Sequence, residues 1–138
     1  MKTLTLDAFY GRPTGSLSLY DCKMSQRVFK HFCYVVEQQD RNWEYLTCRE
    51  TLEYAAELYD VVGTKTEIPL LVHDILNKMG LESCADTRCS DLSGGQQRRL
   101  SLAIGLVKQP IVLFLDEPTS GLAAASAIGI MTEITLVS

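Results

Sequence analysis

Three stretches of the chain space their apolar residues as an amphipathic α-helix does, at positions i, i+3, i+4 and i+7. The three apolar faces consist of Leu52, Ala55, Ala56 and Tyr59, of Val72, Ile75, Leu76 and Met79, and of Leu100, Ala103, Ile104 and Val107. Pro69 stands at the start of the second stretch and Gly80 at its end, the positions that proline and glycine favour in helices. The pattern predicts three helices, each with one face to bury.

Other apolar runs lack helical spacing and predict β-strands. Residues 111–115 are five apolar residues without alternation, which is typical of a strand buried on both faces. Residues 32–36 form a second apolar run, and residues 16–20 alternate serine with apolar residues as a half-exposed strand does. A short helix is predicted over residues 25–31.

Two of the predicted helices begin with recognisable capping residues. Thr47 and Glu50 form the capping-box pattern S/T-x-x-E in front of the first helix. Ser93 is a good N-cap for the third helix, and Gly94 and Gly95 leave the backbone amides behind it uncovered. A helix N-terminus with free N–H groups, a positive dipole end and a hydroxyl suits an anion. The residues alone leave two interpretations open, an ordinary glycine-rich cap and an anion site.

Two acidic residues, Asp116 and Glu117, directly follow the apolar run 111–115, and Pro118 then prevents further strand pairing. In open parallel α/β sheets, ligands bind at the carboxyl ends of the strands. Adjacent carboxylates at the end of an apolar strand are costly unless they meet a metal ion, a hydrogen-bond donor or water. The two acidic residues therefore either contact a ligand or are solvated residues in an ordinary turn after the strand.

Composition narrows the class of protein. The 138 residues suffice for one domain with a core, and 46% apolar and 22% charged residues are ordinary for a globular chain. The net charge of −4, with Arg98 and Arg99 as an isolated basic pair, argues against a nucleic-acid partner. The five cysteines are odd in number and contain no C-x-x-C, so unpaired thiols in a reducing compartment are expected.

Motifs in residues 92–122 carry a resemblance to a known family. Residues 92–96 read L-S-G-G-Q, residues 113–118 read L-F-L-D-E-P, and T-S-G-L follows. In this order they resemble the signature motif, the Walker B strand and the start of the D-loop of the ATP-binding cassette (ABC) ATPases. The wording F-L-D-E-P-T-S-G-L looks most like the G subfamily, the white and pleiotropic-drug-resistance type of transporter. Residues 92–96 are called the signature motif from here on.

Shorter matches extend the resemblance to the rest of the chain. Lys2 and Thr3 look like the last two residues of a Walker A loop, G-x-x-x-x-G-K-[ST], with Met1 in place of its final glycine. Residues 34–40, Y-V-V-E-Q-Q-D, resemble the Q-loop of the G subfamily with Gln38 as its glutamine, and the neighbouring Gln39 leaves that register open. Residues 46–52, L-T-C-R-E-T-L, closely resemble the family's L-T-V-R-E-T-L.

The resemblance implies a role for each matched residue. Two domains of this kind, arranged head to tail, would enclose two ATP molecules with Mg²⁺. Lys2 would contact the β- and γ-phosphates, and Thr3, Gln38 and Asp116 would bind Mg²⁺. Glu117 would act as the general base for the attacking water, which Gln38 would also hold. The γ-phosphate of ATP bound to the other domain would meet Ser93, Gly94, Gly95 and Gln96.

The resemblance also implies a fold and a function. The expected fold is α/β. Residues 1–138 would form one partial nucleotide-binding domain. Its core would be an incomplete P-loop NTPase-type parallel sheet (residues 1–40 and 97–138), and its α-helical subdomain would lie at about residues 41–96. The implied activity is an ATPase, ATP and water to ADP and phosphate, that powers transmembrane export of a hydrophobic or lipid-like substrate at the cytoplasmic face of a membrane. The implied partners are a second nucleotide-binding domain and a transmembrane domain. A nucleic-acid partner is not expected.

Several departures from the family pattern keep an alternative open. Most of the Walker A loop and the switch histidine of the family are missing from the 138 residues, and Ala123 occupies the position of the D-loop aspartate. The segment formed by residues 87–92 is also shorter than the corresponding segment usually is in the G subfamily. The alternative is a truncated, non-catalytic cassette fragment that acts by pairing with an intact ABC subunit. A soluble ABC ATPase of repair or translation is disfavoured by the G-type wording and the acidic charge.

Overall fold

A computed structural model describes residues 18–19, 22–23, 25–37, 42–60 and 67–115 of the chain. Strands β1 (Ser18–Leu19) and β2 (Cys22–Lys23) form a short antiparallel pair, where residues 16–20 predicted a half-exposed strand. Helix α1 (Gln26–Phe32) follows, within one residue of the predicted bounds. The predictions at residues 1–17, 38–41 and 116–138 lie outside the described residues.

A pair of parallel strands forms the second sheet. Strand β3 (Cys33–Val36) lies beside β4 (Val112–Leu115), with Cys33 opposite Val112 and Val36 opposite Leu115. Parallel neighbours need a long crossover connection, which the helices between residues 37 and 111 provide. This pair and its helices agree with the predicted α/β class, and two strands are all of the parallel sheet that the described residues contain.

Strand β4 is not buried on both faces as predicted. All four of its residues are half-buried, and Ile111, which the predicted strand included, is 59% exposed. Within the described residues β4 has a neighbour on one side only, β3. The prediction of full burial is wrong for this structure, because a strand loses its solvent contact only when both edges and both faces are covered.

Three helices occupy the chain between the parallel strands. Helix α2 spans Cys48–Tyr59, α3 spans Ile68–Lys78 and α4 spans Gly94–Val107. The predicted apolar faces are buried, except that Tyr59 and Ile104 are half-buried. Two short 3₁₀ helices, Glu82–Cys84 and Cys89–Asp91, connect α3 to α4 and were not predicted.

Local signals account for the ends of α2 and α3. The Thr47 hydroxyl accepts a hydrogen bond from the Glu50 amide at 3.2 Å, and the Glu50 carboxylate accepts one from the Thr47 amide at 2.9 Å, which is the predicted capping box. Pro69 stands in the first turn of α3. Gly80 follows the end of α3 with a φ of 60°, a left-handed conformation that favours glycine. These predictions are confirmed.

Helices α2, α3 and α4 pack against one another around the main apolar core. Its largest fully buried side chains include Leu52, Val72, Leu76, Leu81, Leu100, Leu102 and Val107. Helix α4 also contacts β3, so it links the three-helix core to the parallel strands. In the described part of the chain, no helix combines the length and the apolar character needed to cross a bilayer.

Gly105 lies where α4 packs against Tyr34 of β3 and Leu113 of β4. A Cβ atom there would lie 3.0 Å from Tyr34 Cδ1 and 3.2 Å from Leu113 Cδ1. The Tyr34 ring meets the Tyr59 ring edge-on and Lys108 Nζ lies 5.7 Å from its centroid, so the Tyr34 ring cannot shift without changing these contacts. The absence of a side chain at Gly105 therefore allows α4 to sit against β3 and β4.

We expect Gly105→Ala to lower the free energy of unfolding by about 1–2 kcal/mol, measured by chemical denaturation. The crowding should outweigh the ~0.5–1 kcal/mol that alanine gains over glycine inside a helix. Gly94→Ala is the matched control, because a methyl group there would meet no atom within 4 Å. A Gly105→Ala protein as stable as the wild type would contradict this close packing.

Candidate functional site

The signature motif forms the N-terminus of α4, with Ser93 as the predicted N-cap. The Ser93 hydroxyl accepts a hydrogen bond from the Gln96 amide at 3.3 Å, and the Gln96 side-chain oxygen accepts one from the Ser93 amide at 2.9 Å. This reciprocal pair is a second capping box. It was not predicted, although S-x-x-Q at residues 93–96 is a sequence signal for it.

Two backbone amides at this helix end are available to a ligand. The N–H groups of Gly94 and Gly95 have no hydrogen-bond partner within the described residues, as is usual for the first turn of a helix. Ser93 and Gly94 are exposed, and the space beside the Gly94 Cα is open. The 14-residue helix adds the positive end of its dipole at this point. The arrangement suits a phosphate group.

The Ser93 hydroxyl is already engaged within the cap. Besides accepting from the Gln96 amide, it donates to the Gln96 side-chain oxygen at 3.0 Å. A hydroxyl has one proton to donate, so donation to a phosphate oxygen would require rotation away from Gln96. The two glycine amides need no such change, and they are the donors that this structure offers directly.

The half-buried side chain of Gln97 holds the loop in front of the cap. The Gln97 side-chain amide donates to the carbonyl oxygens of Cys89 and Leu92, both at 3.3 Å. Leu92 is buried in the helical core, and the Cys89 amide donates to the Leu46 carbonyl at 2.9 Å. The signature motif is therefore fixed both to its own helix and to the segment that leads into α2.

The segment before the signature motif is also joined to the start of α2. Thr47 and Arg88 form an isolated antiparallel bridge, and the Cys48 amide donates to the Thr87 carbonyl at 3.2 Å. The Arg49 side chain forms a 2.9 Å ion pair with Asp86 at the surface. The N-termini of α2 and α4 are thus connected through residues 85–92.

Three buried thiols lie among these contacts, those of Cys48, Cys84 and Cys89. Burial, together with the neighbouring thiols of Cys84 and Cys89, raises the pKa of Cys48 to about 12. The Cys89 sulfur also lies 3.4 Å from the Thr51 hydroxyl. At neutral pH Cys48 is protonated, so it packs as a small apolar residue rather than as a nucleophile. The four cysteines whose side chains the structure describes, Cys33, Cys48, Cys84 and Cys89, are free thiols, as the sequence predicted.

A set of polar contacts at the carboxyl end of β3 was missed by sequence reasoning. Arg98 Nη1 donates to the Glu37 carbonyl oxygen, Asn42 Nδ2 donates to the Gln97 carbonyl oxygen, and Ser101 Oγ donates to Asn42 Oδ1. Glu37, Asn42 and Ser101 also line a cavity of about 270 Å³ at the end of β3. The partners are 55 to 61 residues apart along the chain, so no local pattern could have revealed them.

The structure brings together four of the predicted site residues, Ser93, Gly94, Gly95 and Gln96, at one helix end. The other five, Lys2, Thr3, Gln38, Asp116 and Glu117, lie outside the described residues. The described strands nevertheless end close in sequence to two of them, Gln38 and Asp116. Val36 and Leu115 are register partners at the carboxyl ends of β3 and β4, and Gln38 and Asp116 follow these ends by two residues and one residue.

Comparison with known proteins supplies a family match. The model of the ABC transporter family matches residues 2–120 of the chain. The chain is 36% identical to ABC transporter G family member 1 of Dictyostelium discoideum over 149 residues, which cover 96% of this chain and 18% of that protein.

Two plant proteins are similarly related. ABC transporter G family member 13 of Arabidopsis thaliana is 38% identical over 137 residues, covering 91% of this chain and 20% of that protein. ABC transporter G family member 5 of Oryza sativa subsp. japonica is 33% identical over 148 residues, covering 99% and 19%. The chain therefore spans about a fifth of the length of these curated relatives.

Proposed function

The chain belongs to the ABC transporter family, and from this membership we propose that it binds and hydrolyses ATP as the nucleotide-binding domain of a G-type transporter. The observation that carries the proposal is the N-terminus of α4. There the signature motif presents two amides that have no hydrogen-bond partner in the described part of the chain, at an exposed helix end beside the Ser93 hydroxyl. A γ-phosphate is the ligand that this cap would bind.

We propose that this phosphate belongs to ATP held by a second nucleotide-binding domain in a head-to-tail dimer. Ser93 and Gly94 are exposed, so a nucleotide carried by another molecule can reach them. The chain's own ATP would be held by Lys2 at the β- and γ-phosphates. Each site would thus be built from two domains.

The proposed Mg²⁺ ligands are the oxygens of Thr3, Gln38 and Asp116. Hydroxyl, amide and carboxylate oxygens are hard donors, the type that Mg²⁺ prefers. The parallel pairing of β3 and β4 supports this set, because Gln38 and Asp116 follow strand ends that lie side by side. When bound, Mg²⁺ would neutralise part of the phosphate charge. The cofactors of the proposed reaction are therefore ATP and Mg²⁺.

Glu117 is the proposed general base. Its carboxylate would accept a proton from the attacking water, and the Gln38 side chain would orient that water without adding charge. Phosphoryl transfer depends mainly on positioning and charge stabilisation, so the two glycine amides would contribute by holding the transferred group. The products would be ADP and phosphate.

An exposed group of aromatic residues supports the proposed transmembrane partner. Trp43, Tyr45 and Tyr54 are 40%, 86% and 50% exposed, and they line an open cavity of about 530 Å³ beside α2. The Trp43 and Tyr54 rings meet edge-on with their centroids 5.0 Å apart. Exposed aromatic groups of this kind are typical of binding surfaces. We propose that the transmembrane domain covers them at the cytoplasmic face of the membrane.

We also propose, from the resemblance to G-type transporters, that the exported cargo is hydrophobic or lipid-like.

The proposal predicts Mg²⁺-dependent ATP turnover. Phosphate release should be measured for the chain alone and for the chain mixed with an intact G-type nucleotide-binding domain, with and without EDTA. We expect the mixture to exceed the sum of its two components, and EDTA to reduce its rate by a factor of roughly a hundred.

Two other outcomes are informative. Binding of the partner domain without added turnover would favour the non-catalytic pairing role. Neither turnover nor binding of MgATP or of the partner domain would contradict the proposed function.

A further inference from the structure

Three buried thiols lie between the start of α2 and the segment before the signature motif. Cys48, Cys84 and Cys89 are 0%, 6% and 2% exposed and belong to one apolar core. The Arg49 amide donates to the Ala85 carbonyl at 2.9 Å, which joins the residues that follow Cys48 and Cys84 in the chain. The backbone therefore holds these two cysteines side by side.

Cys84 is the favoured partner of Cys48 among the three. The Cys48 and Cys84 thiols share a hydrogen bond, and the Cys84 thiol also donates to the Leu81 carbonyl at 3.4 Å. The Cys89 sulfur instead meets the Thr51 hydroxyl at 3.4 Å. Two thiols in hydrogen-bond contact need only a small displacement to form a disulfide.

Burial protects this pair while the fold is closed. Desolvation is the main cause that raises the pKa of Cys48 to about 12, and the thiolate is the form of cysteine that reacts. Cys84 ends a three-residue 3₁₀ helix whose other residues, Glu82 and Ser83, are exposed. Short surface elements of this kind open locally at a lower free energy than a helical core. Such an opening admits water and small oxidants to both thiols.

We propose that Cys48 and Cys84 form a reversible disulfide with a peroxide as the oxidant, and that this disulfide is a redox switch on the signature motif. The Cys84 thiolate attacks one peroxide oxygen, which leaves a sulfenic acid on Cys84 and releases one water. The Cys48 thiolate then attacks the Cys84 sulfur, and a second water leaves. The two thiols are oxidised to one disulfide while the peroxide is reduced to two waters. A small-molecule thiol reverses the reaction by exchange.

The switch would act through residues 85–92, and this consequence rests on the proposed function. Thr47 and Arg88 form a backbone bridge, and the Gln97 side chain holds the Cys89 and Leu92 carbonyls in front of the cap. A disulfide removes the Cys84 proton that bonds to the Leu81 carbonyl and fixes the segment covalently to α2. The signature motif would then be held in a changed position, which lowers turnover.

The first test needs no nucleotide, so it does not depend on the proposed function. The reduced chain is treated with hydrogen peroxide, alkylated, digested with trypsin and analysed by mass spectrometry without reduction. Trypsin cleaves after lysine and arginine, so the three thiols fall in separate peptides, 42–49, 79–88 and 89–98. We expect the folded chain to link peptide 42–49 to peptide 79–88, with the loss of two hydrogen atoms.

The matched control is the same chain denatured in guanidinium chloride. Cys84 lies 36 residues from Cys48 and 5 residues from Cys89. Loop-closure entropy then favours the link between Cys84 and Cys89 roughly twentyfold in the unfolded chain, and the fold should reverse that preference. A folded chain that links mainly peptides 79–88 and 89–98, or that forms no link while the denatured chain does, would overturn the inference.

The second test measures MgATP turnover after the chain has been oxidised, freed of peroxide and mixed with the partner domain. We expect turnover to fall roughly threefold or more and to return with dithiothreitol. Cys48→Val, which introduces the residue of the family pattern L-T-V-R-E-T-L, should not respond to peroxide. Cys33→Ala removes a buried thiol of the other core cluster and should respond as the wild type does.

The possible failures are distinguishable. Full cross-linking of Cys48 to Cys84 without a loss of turnover would overturn the switch. A reduced wild type without turnover counts against the proposed function alone, and peptide mapping then decides whether the disulfide forms.

Discussion

Replacing Glu117 with glutamine is expected to lower MgATP turnover on the order of a hundredfold or more, with nucleotide binding retained. Glutamine keeps the size of the side chain but cannot accept a proton from the attacking water, and general-base catalysis contributes about 10²–10⁴ to a rate. Phosphate release measures the chemical step, and fluorescence titration with a labelled ATP measures binding. Both are carried out with the intact partner domain present.

The matched control for this substitution is Glu82→Gln. It removes an exposed carboxylate from a short 3₁₀ helix that contains no proposed site residue. The control should turn over ATP at the wild-type rate. Glu117→Gln turnover within threefold of the wild type would show that another group accepts the proton, and the proposed general base would then be wrong.

Gly94→Ala is expected to separate function from stability. A methyl group at Gly94 would meet no protein atom within 4 Å, so the fold should be unchanged or more stable by up to about 0.5–1 kcal/mol. The same methyl group would occupy the open space in which a phosphate approaches the Gly94 and Gly95 amides. Because donors to transferred groups contribute roughly a hundredfold or more each, turnover should fall on the order of a hundredfold. Thermal unfolding and phosphate release measure the two effects.

Gly80→Ala provides the opposite behaviour as a control. Gly80 has a φ of 60° after the end of α3, so alanine there should destabilise the protein by about 1 kcal/mol without affecting the phosphate site. A Gly94→Ala protein that keeps full turnover would mean that no phosphate approaches these amides. A Gly94→Ala protein that unfolds more easily than the wild type would mean that the open space is filled in solution.

The helices were predictable because their signals are local. Thr47 and Glu50 are three residues apart, as are Ser93 and Gln96, and each pair closes a capping box at the start of a helix. The i, i+3, i+4, i+7 spacing likewise identified the buried faces of α2, α3 and α4. Contacts within one or two helical turns depend little on the rest of the fold, so sequence alone suffices for them.

Features that depend on distant residues could not be predicted. Half-burial of β4 depends on which strands and layers lie beside it. Its apolar sequence shows only that the strand could be buried, not that neighbouring elements bury it. Asn42 bonds to residues 55 and 59 positions away, and a lone asparagine after a strand has no pattern that points to them. The candidate site likewise has one part that sequence alone predicts and one part that it does not. The signature motif is a local cap, whereas a complete nucleotide site requires residues from several strands and from another domain.

Binding of the partner domain's γ-phosphate by the signature motif is tested most directly by the response of the Gly94 and Gly95 amides to ATP held by another domain. Labelling with ¹⁵N-glycine gives signals from nine residues in this chain, few enough to resolve and assign. The labelled chain is mixed with an unlabelled, hydrolysis-deficient G-type nucleotide-binding domain, first without nucleotide, then with MgADP and then with MgATP. We expect large shifts of the Gly94 and Gly95 amide signals with MgATP and much smaller ones with MgADP. Unchanged Gly94 and Gly95 signals in a mixture where MgATP binding to the partner domain and complex formation are both verified would contradict the proposed γ-phosphate binding.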